Sequence, residues 1–196
     1  MIREKTLYCK LLLTDISTEQ AYSQCLADLQ IFKTACISCG AEGSLMRFAF
    51  YKRWVIDLIK GRPVAHQIRV LRLMCGSCGH THAILPDCII PYSQYSLVFI
   101  LKTLSLVFLH ADTLERICEK EKITPAQIYR WKKLYLEHRS LWLTAAERLV
   151  ASEGDLLDRI LKLPVPSDFL WQFYRLAGRS FLQSHRNAAN SLRPPN

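Results

Sequence analysis

Two Cys-x-x-Cys pairs, Cys36-Ile37-Ser38-Cys39 and Cys75-Gly76-Ser77-Cys78, each followed by a glycine, constrain this chain more than anything else in it. A two-residue gap lets one tight turn aim both sulfurs at a single point, and the glycine relaxes the backbone just past the second ligand. Soft thiolates favour zinc over magnesium or calcium. Four of them make a closed structural site with no position left for catalysis. The loop between the pairs is longer than the usual zinc-ribbon range. Two other readings stand beside zinc: a redox Cys-x-x-Cys, and buried cysteines paired by coincidence. Zinc accounts best for both pairs at once, so Cys36, Cys39, Cys75 and Cys78 are expected to hold a Zn2+ ion.

The remaining composition narrows the setting. With 196 residues, 50% hydrophobic and 22% charged, the chain suits one or two small globular units with a true core. Its formal charge is +9, and four thiolates with one zinc ion bring this to about +7. A surplus of that size points to phosphate or another polyanion as partner. Eight cysteines raise the idea of a secreted disulfide scaffold, but the start, Met1-Ile2-Arg3-Glu4-Lys5, carries an acid, and Lys10 interrupts the apolar run Leu7–Leu13. A reducing cytoplasm is the expected location. Cys9, Cys25, Cys88 and Cys118 stand alone and read as core thiols. The most apolar stretch, Leu97–Leu109, contains Lys102 and falls short of the ~20 apolar residues a spanning helix needs, so no membrane is expected.

Along the chain, residues 1–35 read as a cover segment, with a short strand at Leu7–Leu13 and a helix from Gln20 to Leu29. Residues 36–90 read as the zinc ribbon. Met46, Phe48, Phe50, Trp54, Ile56 and Leu58 alternate with Arg47, Tyr51, Arg53 and Asp57, which predicts a strand with those two sets on opposite faces. Lys60-Gly61-Arg62-Pro63 is a turn signal, and His66–Met74 resumes as a second strand. Its alternation breaks between Ile68, Val70 and Leu71, Leu73, predicting a bulge or burial on both faces. Thr81–Leu85 supplies a third short strand. Seven cations (Arg47, Lys52, Arg53, Lys60, Arg62, Arg69, Arg72) meet a single acid, Asp57, more than solubility requires. A solvated outer face is the bland alternative. Phosphate contact through Lys52, Arg53, Arg62, Arg69 and Arg72 is the sharper expectation. His80 reads as a surface group or one that supports a ligand from behind, and His82 as part of the third strand; replacement of a cysteine ligand by either is the less favoured alternative, because the thiolate set is already complete.

Pro86 and Pro91 bracket a rigid connector. Ser93 then caps a helix to about His110 that is apolar nearly all round, and so belongs inside a helical domain spanning residues 91–152. Asp112 or Thr113 caps a short helix, Leu114–Lys120, and Ile123 plugs the corner that follows. Thr124-Pro125-Ala126-Gln127 is a strong helix start: Thr as N-cap, Pro first, Gln at the reciprocal position of a capping box. Ile128, Trp131 and Tyr135 or Leu134 turn inward. Ala126, Gln127, Tyr129, Arg130 and Lys133 are left outward. This pattern is a helix-turn-helix. A recognition helix enters the major groove by its N-terminal half, where Gln127 reaches adenine edges and Arg130 guanine edges, while Lys132, Lys133 and Arg139 hold phosphates. The alternative is an ordinary helical pair with solvated cations. Further on, Leu141–Val150 and Leu156–Leu161 read as helices, and Leu163-Pro164-Val165-Pro166 as a stiff linker. Residues 153–185 end in an aromatic helix, Asp168–Gln183, which closes the core or binds a partner helix. Residues 186–196 read as a disordered tail.

The run Arg69-x-x-Arg72-x-x-Cys75-x-x-Cys78-Gly79-x-Thr81-His82-Ala83-x-Leu85-Pro86, continuing to Pro91-Tyr92-Ser93-x-Tyr95-Ser96, resembles an uncharacterised bacterial family of short zinc-ribbon proteins associated with mobile elements. More broadly, it is similar to the zinc-ribbon and helix-turn-helix heads of insertion-sequence transposases. The resemblance covers about Cys36–Leu141 and implies double-stranded DNA binding, with the four cysteines as ligands and Thr124–Lys133 as the reading helix. Such transposases carry an acidic catalytic triad in a nuclease-like α/β domain. Here the acids after Arg139 fall on helical or linker sequence without alternating strands. The expectation is therefore an α+β protein, a small four-cysteine zinc ribbon followed by a mostly helical helix-turn-helix unit. It is expected to be no enzyme, and to bind DNA as a transposase-associated accessory or a transcriptional regulator. A homodimer and a separate transposase or recombinase as partner stay open. The alternative function is an adaptor that docks a separate transposase or polymerase.

Overall fold

A computed structural model describes residues 2–4, 23, 26–27, 33–86, 89–143, 173–174, 177 and 179–184. Four strands, β1 (Ile2–Glu4), β2 (Leu45–Ile59), β3 (Arg62–Cys75) and β4 (Thr81–Pro86), form a sheet in the order β1-β4-β3-β2. After the sheet come α1 (Leu97–Phe108), α2 (Leu114–Glu121) and α3 (Pro125–Leu143). The architecture is α+β. The ribbon proper is the antiparallel meander β2-β3-β4, and β1 adds a parallel edge beside β4.

β2 and β3 turn through Lys60 and Gly61, whose φ values of 50° and 71° define a two-residue hairpin loop. Two positive φ values twist with the strands, and glycine takes the second at no steric cost. The pairing runs from Ile59 with Arg62 back to Leu45 with Cys75, so the hairpin delivers its last residue, a cysteine, to the end opposite the turn. One irregularity interrupts it. The register shifts between Arg47 and Ala49, leaving Phe48 as the extra residue of a bulge.

That bulge reverses the expected facing. An inserted residue moves everything beyond it to the other face, so Met46 and Phe50 no longer share one. Of the apolar set, Met46, Phe48, Phe50 and Trp54 are exposed, at 49%, 55%, 46% and 56%. Asp57, expected on the polar side, is buried together with Val55. On β3 the break in alternation is burial on both faces. Ile68 and Val70 join Val55 and Leu85 under the helices, while Leu71, Leu73 and Cys75 pack on the other side with Leu45, Ile84 and Cys36. The sheet thus divides two cores, a large one shared with the helices and a small one at the cysteine end.

The helices dock through the edge of β2. Ile56 N–H donates to Gln94 O (2.6 Å) and Ser96 N–H donates to Ile56 O (2.9 Å), holding 94–96 extended like a fifth strand. The helix therefore starts at Ser96 and not at Ser93, whose hydroxyl instead closes a turn onto Tyr95. Ser96 Oγ accepts from Phe99 N–H (3.1 Å) as the N-cap and donates to Asp57 Oδ1 (2.8 Å). This pairs the buried carboxylate with the first turn of α1. Arg53 reaches the same connector, donating to the carbonyls of Ile90 and Ser93.

α2 is capped by Thr113 and ends at Lys122, in the left-handed region at φ 54°. Ile123 is buried at the corner, and its N–H returns to Cys118 O (3.1 Å). α3 buries Ile128, Trp131, Tyr135 and His138. It runs unbroken to Leu143, so the separate helix expected from Leu141 begins as a continuation. Phe173 and Phe181 close the core, with ring centroids 5.1 and 5.8 Å from that of His138. The aromatic helix expected to reach Gln183 has given way to bend and turn by Arg179–Leu182. The strand and helix expected at 7–13 and 20–29, the helix at Leu156–Leu161 and the tail lie wholly or mostly outside the described residues, as do Cys9, Cys25 and Cys88.

Candidate metal centre

The two cysteine pairs fold into matching turns. Gly40 N–H donates to Cys36 O (2.7 Å) and Cys36 N–H to Ala41 O (2.9 Å). In the second pair, Gly79 N–H donates to Cys75 O (2.8 Å) and Cys75 N–H to His80 O (2.9 Å). Gly40 and Gly79 sit at φ 73° and 70°, where a Cβ would strain the turn. Gly76 N–H donates to Ser44 O (2.8 Å), tying one turn to the strand that leaves the other.

All four sulfurs lie within 4.8 Å of one another. Cys36 Sγ is 3.7 Å from Cys78 Sγ, and Cys39 Sγ is 3.8 Å from Cys75 Sγ, so the shortest approaches join the two turns. Such separations are those of sulfurs arranged around one small cation. Cys36 and Cys75 are buried, whereas Cys39 is exposed and Cys78 half-buried.

Electrostatics argue the same way. Burial, the largest influence, opposes the Cys75 thiolate, but the backbone N–H groups of Cys78 and Ser77 together with the Cys78 and Cys36 thiols bring it down to about 6. For Cys78 the backbone N–H of His80 acts to lower the value, yet burial and the neighbouring sulfurs push it up to about 12. Four thiols this close cannot all ionise unaided. A divalent cation at their centre removes the conflict and deprotonates the whole set.

His82 completes the surroundings. It sits in β4 opposite Leu73, is 3% exposed, and places Nε2 3.2 Å from Cys36 Sγ. Burial lowers its pKa, which favours the neutral ring. A neutral ring carrying its proton on Nε2 donates to a Cys36 thiolate, the kind of hydrogen bond that commonly orients a metal ligand from behind. That supporting position falls to His82 and not to the exposed His80. The sequence signal was there: position 82 is the one where β4 turns a side chain toward the small core.

The remaining expected site residues separate into two groups. Thr124, the cap before α3, is exposed, as are Ala126, Tyr129, Arg130 and Lys133 on the helix, and Gln127 is half-buried. Lys132 Nζ lies 5.4 Å from the Phe108 ring centroid, and Arg139 is half-buried. On the hairpin, Lys52, Arg62, Arg69 and Arg72 are exposed along with Arg47 and Lys60. Arg53 is the exception, since its guanidinium is committed to Ile90 and Ser93 and its pKa is lowered by burial. Asp57, the only acid of the hairpin, is buried, so its exposed surface carries cations without a competing anion.

Fold and centre together define an α+β metal-binding protein with a four-cysteine site. Residues 36–131 match a family described as a domain of unknown function (DUF6431), a span from the first ligand to the inward Trp131 of α3. No curated protein and no solved structure matches the chain.

Proposed function

We propose that this chain binds double-stranded DNA sequence-specifically, as an accessory of transposition or a transcriptional regulator, and that the ion in its cysteine site is zinc. The observation that carries this reading is the outward stripe of α3. Ala126, Tyr129, Arg130 and Lys133 lie exposed on its first turns, behind a tight turn from α2, while Ile128 and Trp131 hold the other side in the core. A helix presented by its N-terminal half, with a guanidinium and an ammonium on its free face, suits the major groove. The six exposed hairpin cations add the sequence-independent phosphate term. Zinc is favoured because a closed thiolate tetrad offers neither the oxygen ligands of hard cations nor an open coordination position. The ion is structural here, and catalysis has no place at it.

The test is binding of metal-loaded protein to randomised duplexes, followed by anisotropy on the selected site. Affinity is expected to fall on the order of a thousandfold between low and physiological salt if six or more phosphates are engaged. Arg130→Ala is expected to cost about 1–3 kcal/mol and relax one base position. Failure to select any site, or binding indifferent to salt, overturns the reading.

A further inference from the structure

β2 carries two large rings on the face that the helices leave open. Phe50 and Trp54 stand four residues apart and so point the same way, 46% and 56% exposed, with Lys52 between them. The register places Arg69 opposite Lys52 and Gln67 opposite Trp54. The Arg69 guanidinium lies over the Phe50 ring, 4.8 Å from its centroid. Around the edge of the strand, beside Trp54, a depression of about 430 Å³ is lined by Tyr51, Arg72, Tyr92 and Gln94, with Arg72 over the Tyr51 ring at 5.4 Å.

Exposed aromatic rings cost free energy in water, and a seam against another protein would surround them with apolar neighbours. Here the exposed groups between and opposite the two rings are Lys52, Arg69 and Gln67, on a hairpin whose only acid is buried. Flat apolar faces spaced by positive charge complement a chain of flat rings joined by negative charge. In a duplex the base faces are already stacked on each other, so only unpaired bases can use such a platform.

We propose that this face binds single-stranded DNA, with bases stacked on Phe50 and Trp54 and phosphates held by Lys52 and Arg69. The choice of DNA over RNA rests on the duplex reading of α3, because an unpaired strand beside the bound duplex is then the nearest occupant. The platform itself is separate from that helix.

The experiment uses the full metal-loaded chain and a fluorescein-labelled thymidine oligonucleotide of about fifteen residues, a length within or near the usual site size. An abasic strand of equal length, a uridine RNA and a duplex are run beside it. The thymidine strand is expected to bind at least tenfold tighter than the abasic one. Phe50→Ala and Trp54→Ala are each expected to weaken it about tenfold while metal content stays unchanged, and Trp54→Phe should restore most of the loss. Equal binding of the abasic strand, wild-type affinity in the alanine variants, or preference for RNA overturns the proposal. So does a wild-type dimer that the alanine variants dissolve, since a second copy would then be the occupant. Loss of duplex binding with thymidine binding intact removes only the reading of α3. Duplex binding with no thymidine binding removes only this one.

Discussion

At the scale of single residues, the metal site is held by contacts that spacing alone does not reveal. His82 approaches Cys36 from a strand outside both cysteine turns. His82→Phe keeps the ring volume and removes the donor, so metal affinity is expected to fall 10–100-fold in competition with a chromogenic chelator. The exposed neighbour gives the control, because His80→Ala should leave affinity unchanged. His138 offers a second residue-scale test. It is fully buried, and its Nδ1 accepts from Leu182 N–H at 2.9 Å. Burial first, and Arg179 second, hold its pKa down to about 4. A pKa below the ordinary value near 6.5 means that the folded state prefers the neutral ring. Its stabilising contribution is complete above pH ~6.5 and is lost as the pH falls toward 4. Wild type is expected to lose on the order of 2 kcal/mol more than His138→Asn across that window, measured by urea unfolding at each pH.

At the scale of elements, what was legible depended on whether the signal was local. The two cysteine turns, the Lys60-Gly61 loop and the cap at Thr124 are each specified by a few adjacent residues, and each stands where those residues place it. The helix-turn-helix pattern belongs with them, since Ile117, Ile123, Ile128 and Trp131 encode their own burial by helical spacing. The start of α1 was not legible. Ser93 and Ser96 are equivalent as caps in sequence, and only the pairing of 94–96 with the edge of β2 selects the second. The facing of β2 failed for a similar reason: a bulge at Phe48 leaves no mark in a pattern of alternating residues. β1 is three residues long and its partner lies some eighty positions away, which no periodicity carries. The docking of α1 gives the prediction at this scale. Ser96→Ala removes both the cap and a hydrogen bond to buried Asp57, and should lower stability by about 2–3 kcal/mol in chemical denaturation. Ser93→Ala, which removes only the turn onto Tyr95, should cost less than about 1 kcal/mol.

At the scale of the whole molecule, the question is how far the metal's influence extends. Among the described residues, the small core at the cysteine end joins six buried residues, two of which are the candidate ligands Cys36 and Cys75. The large core joins nineteen among the described residues and contains no ligand at all. β3 is common to both, contributing Ile68 and Val70 to one and Leu71, Leu73 and Cys75 to the other. Without the ion, four thiols crowd together with little apolar burial to hold the turns, so the cysteine end loses its main constraint. The helical half keeps the packing of Phe99, Trp131, Tyr135 and Phe173, which owes nothing to sulfur. Stability in such a molecule is divided, and opening should be local rather than global. Chelation is therefore expected to abolish hydrogen-exchange protection across 36–45 and 73–82 while α1 and α3 keep theirs. The hairpin from Tyr51 to Val70 should remain paired, because its inward residues Val55, Ile68 and Val70 belong to the large core. Simultaneous loss of protection in the helices would mean that β3 transmits the metal's constraint through both faces of the sheet, and that the chain folds as one cooperative unit around its ion.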